Sequence, residues 1–375
     1  VATTKDTIPQ ASDVVVIGSG LGGLCCAALL ASTGKQVSVL ESHVEFGGAA
    51  HSWERKTKDG VYTFESGPSL FSGLSPTATQ ANREAGRPAN NPLRAVLDAV
   101  GEDCEWITYN TWGCVFPEAS FTAQVGNEPW EGKGGMLDKF GGPTAHQEWK
   151  ALMEYMDPLI RVSQDLPVVT AALREDALAA VTLARYAPTI LGMVKYGPKL
   201  GVLSKPFAEI VKEVGITDPF ILNWLNMLSF LLQGTPSDAL LGAVMAYMLG
   251  DWYKEDAILD FPKGGSGEII SALIRAIRKN GGRVIGGAHV EKVLLNSAGE
   301  ANGVQVSYKG ETIDVLARDA VVSNADLWAT SKLVPGSAGE RWQEFEKTTK
   351  QYDQCESFMH LHLGLDATGL PEDLW

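Results

Sequence analysis

Cysteine is scarce and scattered: there are five, an odd number. Cys25 and Cys26 are adjacent, while Cys104, Cys114 and Cys355 fall at no metal-ligand spacing. That sets aside a disulfide framework and a zinc site, and a reducing compartment is the expectation. Positive charge is also in deficit. With 31 Lys and Arg against 45 Asp and Glu, the formal net charge is -14. A nucleic-acid partner is thereby argued against, and any membrane contact would have to be apolar rather than electrostatic. The two greasiest stretches, Phe220 to Leu232 and Ala239 to Leu249, fall short of the roughly 20 residues that span a bilayer. No secretory apolar core lies in the first ten residues, and an opening at Val1 is compatible with a removed organelle transit peptide. There is no Walker loop, no H-E-x-x-H motif, no Ser-His-Asp arrangement, and no internal repeat or low-complexity tract. At 375 residues the chain has room for two or three domains and a large core.

What is present begins with Val14 to Glu41. Val14 to Ile17 is a β-branched run suited to a strand buried on both faces. Gly18, Gly20 and Gly23 then supply G-x-G-x-x-G spacing: a tight turn, a close backbone approach to a pyrophosphate, and close packing of helix on strand. A helix follows through Leu24, Ala27, Ala28 and Leu30, with Gly34 as its stop. Its N-terminus offers unpaired N–H groups to a phosphate. A second strand, Val37 to Leu40, ends in Glu41, whose carboxylate suits ribose hydroxyls. Strand, glycines, helix, strand and acid in this order point to a dinucleotide site, with FAD or NAD favoured over NADP.

Further along, Gly47-Gly48 suits a loop running close beside the cofactor. Trp53 to Arg55 and Val61 to Phe64 read as a hairpin turning at Asp59-Gly60. From about Glu148 to Leu249 the chain reads helical. The region 186–249 is apolar, with Phe220 to Leu232 apolar almost all round; it fits either buried core helices or an apolar substrate tunnel and one-leaflet membrane contact. The α/β pattern returns at Gly264-Gly265-Ser266-Gly267, opening a helix striped by Ile269, Ile270, Leu273, Ile274 and Ile277. Strands are expected at Val284-Ile285, Val290 to Leu295, Val304 to Tyr308, Ile313 to Leu316 and Ala320 to Val322. Met359 to Leu365 also reads as a strand. It places His360 and His362 on one face, more in keeping with a structural role than with metal binding.

Six segments together resemble the phytoene desaturase and carotenoid isomerase family of FAD flavoproteins, within the amine-oxidase-like superfamily. They are Val15 to Leu24, Gly47-Gly48, Phe64 to Ser69, Phe261 to Gly267, His289 to Val293 and Ala320 to Ala325. The set looks most like the plastid and cyanobacterial prolycopene-isomerase branch. The resemblance implies an α/β fold in which a discontinuous Rossmann-like FAD-binding domain (11–75 and 255–330) is joined to a mainly helical α+β substrate domain (76–254, with a return at 331–375). It also implies FAD-dependent isomerisation or desaturation of a carotenoid or related polyene. Gly18, Gly20, Leu21, Gly22 and Gly23 would hold the pyrophosphate, Glu41 the adenosine ribose, Gly47 and Gly48 the loop along the cofactor, and Val290 the adenine through its backbone.

His51 and Glu65 are the candidates for proton transfer near the cofactor loop. A plastid location with peripheral membrane contact, and a membrane protein complex as partner, are what the same resemblance implies. Family members carry a second flavin-binding segment near the C-terminus, which this sequence does not show before Trp375; the expectation is that Trp375 is not the natural end. The competing readings are a non-catalytic subunit of a plastid pigment-protein complex and, more remotely, an amine oxidase.

Overall fold

The computed structural model describes residues 7–84, 89, 91–115, 120–170, 184, 187–194, 197, 201–255, 257–336, 339–354, 359–366 and 368–369. Cys355, Trp375 and much of the apolar stretch between 171 and 200 lie outside them. Twelve strands are present among the described residues: β1 (Ala11–Ile17), β2 (Val37–Leu40), β3 (Ser52–Thr57), β4 (Gly60–Glu65), β5 (Trp106–Tyr109), β6 (Thr111–Val115), β7 (Ser120–Gln124), β8 (Leu259–Pro262), β9 (Arg283–Ile285), β10 (Ala288–Leu295), β11 (Ala301–Tyr308) and β12 (Glu311–Ser323).

The main sheet has the order β10-β11-β12-β1-β2-β9. β1 lies at its centre, parallel to both β12 and β2. It therefore needs apolar residues on both faces, as Val14 to Ile17 supply. Val14 and Val16 pack with Val37 and Val39 beneath the helices Leu21–Ser32 and Gly267–Lys279. Val15 and Ile17 pack on the opposite face with Leu40, Ile285, Val290, Val304 and Val315. The Rossmann-like α/β class expected from the motifs is the one observed.

Two details differ from the sequence reading. Ile313 to Leu316 and Ala320 to Val322 belong to one continuous strand rather than two. Its first half pairs antiparallel with β11 and its second half parallel with β1, so one strand serves both the meander and the parallel sheet. Met359 to Leu365 is not a strand. It has no ladder partner among the described residues, and residues 359–366 are all exposed, so the expected buried face does not form; a strand exists only through its neighbour's hydrogen bonds. The segment instead crosses the β3–β4 hairpin, with the His362 ring 5.5 Å from Trp53 and 5.1 Å from Phe64.

A separate core gathers Trp130, Trp149, Phe207, Trp224, Trp252 and Tyr253. The Trp130 ring lies 4.9 Å from Trp149 and 4.8 Å from Trp224, and the Trp224 indole donates to the Tyr253 hydroxyl at 2.6 Å. The helix Pro219–Gln233 is fixed by Asp218, whose carboxylate caps the Ile221 N–H, and ends at Gly234 with φ +67°. Ile221, Trp224, Leu225 and Leu228 are buried, whereas Phe230 and Leu231 are 48% and 44% exposed. The greasy run thus has a core face, each buried side chain contributing about 1.5–3 kcal/mol, and an exposed apolar end. No helix among the described residues is long and apolar enough to cross a membrane.

β8, whose Leu259 belongs to this core, pairs with β5 and ties the core to segment 71–75. The Asp260 N–H donates to the Phe71 carbonyl, and its carboxylate accepts from the Leu74 and Ser75 N–H groups at 2.8 and 3.1 Å. Arg94, also buried, donates to the Leu74 carbonyl at 3.2 Å and pairs with Asp98 and Asp103. Segment 71–75 is therefore held from both sides by buried charge-assisted hydrogen bonds.

Candidate dinucleotide site and adjoining cavity

The site grows from the turn after β1. Gly18 takes φ +93°, its N–H donates to the Leu40 carbonyl at 2.8 Å, and Asn324 donates to the Ile17 carbonyl at 2.8 Å. Gly20 is the N-cap of the Leu21–Ser32 helix; no side chain caps it and no acid lies in its first turn. The leading N–H groups of that helix, starting at Leu21, have no intrahelical acceptor and form the positive end of its dipole. A Cβ on Gly23 would sit 2.3 Å from the Gly18 carbonyl oxygen, and one on Gly20 or Gly22 would meet the Asn324 amide at 2.8 or 2.7 Å. The first collision enforces close packing of helix on strand; the others keep a side-chain-free surface at the helix mouth. This cradle has the shape and polarity a pyrophosphate needs.

Glu41 stands at the end of β2 and is 9% exposed. Oε2 accepts from the Ser19 N–H at 2.8 Å and the Ser19 hydroxyl at 2.7 Å, and Oε1 accepts from the His43 N–H at 2.8 Å. Burial pushes this carboxyl up, but the donors from His43 and Ser19 outweigh it and hold the group below its ordinary value. It is an anion whose Oε1 also accepts from the Ser42 hydroxyl at 3.3 Å. Gly47 in turn donates to the Ser19 hydroxyl oxygen at 3.2 Å. Gly47 and Gly48 adopt φ +118° and +58°, and a Cβ on Gly48 would lie 3.1 Å from the Gly20 Cα. The two glycine segments predicted from sequence therefore touch. Val290 is buried on β10, just past Ala288, whose N–H donates to the Glu41 carbonyl at 2.8 Å. A register shift between Val290 and Lys292 follows it.

Reached from this cradle through the contact of Gly67 with Ala49, a cavity of about 730 Å³ is bounded by Phe64, Glu65, Gly67, Phe261, Gly265 and the 359–362 segment. Glu65 lines it, with its carboxylate accepting the Ser266 N–H at the head of the Gly267–Lys279 helix. His51 does not line it. The His51 Nδ1 lies 2.7 Å from the Gly48 carbonyl and its Nε2 2.8 Å from the Ser66 hydroxyl, so both ring nitrogens are engaged. Of the two proton-transfer candidates, only Glu65 lines this cavity. His360 and His362 have rings 5.9 Å apart, and no group of three or more metal-ligating side chains occurs among the described residues.

Cys25, on the dinucleotide helix, is pushed up to about 11 by burial and by its neighbour Cys26, which keeps it an unreactive thiol. Sequence reasoning passed over two residues. Ser19 occupies a free position of the glycine motif yet bridges Glu41 to Gly47, and Asn324 was quoted in a motif without a role.

Fold and site together define a Rossmann-like dinucleotide-binding protein with the fold of FAD oxidoreductases. The NAD(P)-binding Rossmann-like domain family matches residues 16–84. The all-trans-retinol 13,14-reductase of Macaca fascicularis is 28% identical over 342 residues, covering 90% of this chain and 51% of that protein. The chloroplastic prolycopene isomerase of Arabidopsis thaliana is 26% identical over 385 residues, covering 99% of this chain and 57% of that protein. Among solved structures, an oxidoreductase from Methanosarcina mazei superposes with a TM-score of 0.57 at 18% identity, covering 90% of this chain and 64% of that one.

The homologues of this chain thus include prolycopene isomerases and retinol 13,14-reductases, in keeping with the carotenoid isomerase and desaturase family read from its motifs. The matched domain and fold support FAD as the dinucleotide. The chain spans about half the length of the curated relatives it matches.

Proposed function

We propose that this chain forms the FAD-binding part of an oxidoreductase that isomerises or desaturates a carotenoid or related apolar polyene. The observation that carries the reading is the meeting of Gly20, Gly48 and the buried Glu41 carboxylate at one uncapped helix mouth, joined to the Glu65 cavity through the contact of Ala49 with Gly67. In this reading residues 11–75 and 255–330 form the cofactor domain. The first-turn N–H groups of the Leu21–Ser32 helix bind the pyrophosphate, and Glu41 accepts from the ribose. The Gly47–Gly48 loop runs along the cofactor, and the backbone at Val290 borders the adenine. Bound FAD supplies hydride or electron-pair chemistry.

The protein's own contribution is to orient the polyene against apolar walls such as Phe64 and Phe261 and to exclude water. Glu65 is held at the cavity edge, where it can donate or accept a proton. The names of the relatives, a retinol reductase and a prolycopene isomerase, support a polyene over an amine. The chloroplastic relative supports a plastid location, and the exposed Phe230 and Leu231 support peripheral apolar contact with a membrane.

The test is reconstitution with FAD followed by incubation with prolycopene and with all-trans-retinol, with flavin reduced in one arm and an electron acceptor present in the other. Conversion only with reduced flavin and no net oxidation means isomerisation, and acceptor-dependent turnover means desaturation. A protein that takes up no FAD under any condition would refute the reading.

A further inference from the structure

His51 is joined to two segments that approach each other through glycines. A carbonyl oxygen can only accept, so the 2.7 Å contact to the Gly48 oxygen places the ring proton on Nδ1. That leaves the Nε2 lone pair to accept from the Ser66 hydroxyl at 2.8 Å. The main chain repeats the link, because the Ser66 N–H donates to the His51 carbonyl at 3.1 Å. One residue further on, a Cβ on Gly67 would stand 2.3 Å from the Ala49 carbonyl oxygen. Gly48 rests on Gly20 at the helix mouth, and Gly67 lines the cavity. The imidazole therefore spans the gap between the place that receives a pyrophosphate and the wall that would face a substrate.

We infer that His51 is a positioning residue. Fixed in the Nδ1–H tautomer, it couples the Gly47–Gly48 arm of the dinucleotide cradle to the Ser66–Gly67 wall of the cavity, so that the two are ordered together. Its ring adds a second donor to the Gly48 carbonyl, which also accepts from the His51 N–H at 3.3 Å, and it registers Ser66 against the Gly48–His51 turn. It does not itself exchange a proton with substrate.

The experiment compares the whole protein with His51→Phe, His51→Asn and Ser66→Ala. FAD affinity is read by titration, and backbone hydrogen exchange at 49–51 and 66–67 is read without cofactor. The affinity arm rests on the FAD reading above; the exchange arm does not. His51→Phe should weaken FAD about tenfold and speed exchange in both segments, the effect of losing one or two hydrogen bonds. His51→Asn puts an amide N–H where Nδ1–H was, and should recover affinity to within about threefold of wild type by restoring the Gly48 bond. Ser66→Ala should speed exchange at 66–67 while the ring ¹⁵N spectrum still reports Nδ1–H.

Wild-type affinity and exchange in His51→Phe would overturn the coupling, as would an Asn variant no better than Phe, or an Nε2–H tautomer in the wild type. If His51→Phe does not fold, the Asn and Ala variants and the tautomer decide by the same criteria. A wild type that binds no FAD but shows the expected exchange pattern refutes the cofactor reading and leaves the His51 linkage standing.

Discussion

Substituting Gly23 with alanine probes the closest approach in the dinucleotide turn. The new methyl would stand 2.3 Å from the Gly18 carbonyl oxygen, against ordinary contact at 3.4 Å or more. It would also meet the Asn324 Cβ and Nδ2 at 3.1 Å. The Gly18 oxygen belongs to backbone pinned by the Gly18–Leu40 hydrogen bond, so helix or turn must shift by about 1 Å. Overpacking of this kind costs about 1–3 kcal/mol, and a clash with fixed backbone belongs at the upper end. Replacing a helical glycine by alanine returns about 1 kcal/mol. The expected net loss is about 2 kcal/mol, read as a lower urea midpoint at unchanged slope. Gly20→Val separates binding from folding, because at Gly20 the Cβ meets only the movable Asn324 amide at 2.8 Å. It should fold nearly as well as the wild type and lose FAD. A Gly23→Ala protein as stable as the wild type would refute the packing argument, and full FAD occupancy in Gly20→Val would refute the cradle.

Three further outcomes follow from named contacts. The Glu41 carboxyl is depressed below its usual 4.5, so its contribution is complete above that value and is lost as pH falls below it; the stability gap between wild type and Glu41→Gln should be widest at neutral pH and close in acid. Leu228 is fully buried and Leu231 is 44% exposed, so Leu228→Asp should lower stability by about 3 kcal/mol or more. Leu231→Asp should fold normally while reducing recovery with vesicles; equal stability of the two would refute the assigned faces. Asp260→Ala strands the Leu74 and Ser75 N–H groups, which should cost about 2–4 kcal/mol in urea denaturation, and an unperturbed midpoint would show that the clamp is dispensable.

Much of the site could be read in the sequence because local chemistry dictates it. A glycine at φ +93° and a glycine whose added Cβ would stand 2.3 Å from a carbonyl oxygen penalise any other residue, so the spacing of Gly18, Gly20 and Gly23 marks the turn directly. Glu41 was legible for a related reason, since an acid ending the second strand of such a unit has one obvious neighbour. Met359 to Leu365 failed because alternation describes a strand's faces and not its partner. Without a ladder, the pattern specifies nothing. His51 and Glu65 looked alike in sequence, both near the cofactor loop, and only their contacts separated them.

By itself, then, the sequence determined the βαβ unit, the dinucleotide class of its ligand, and the amphipathic helix Gly267–Lys279 that completes one face of the sheet. These depend on spacing within a few residues and on steric limits that hold in any context. Tertiary structure alone decided that Gly48 rests on Gly20, that Ser19 links Glu41 to Gly47, that His51 is committed to Gly48 and Ser66, and that Glu65 faces the cavity. Each of these joins residues on different segments, so it depends on how the elements pack, and no local pattern encodes the direction in which a side chain finds its partner across that gap.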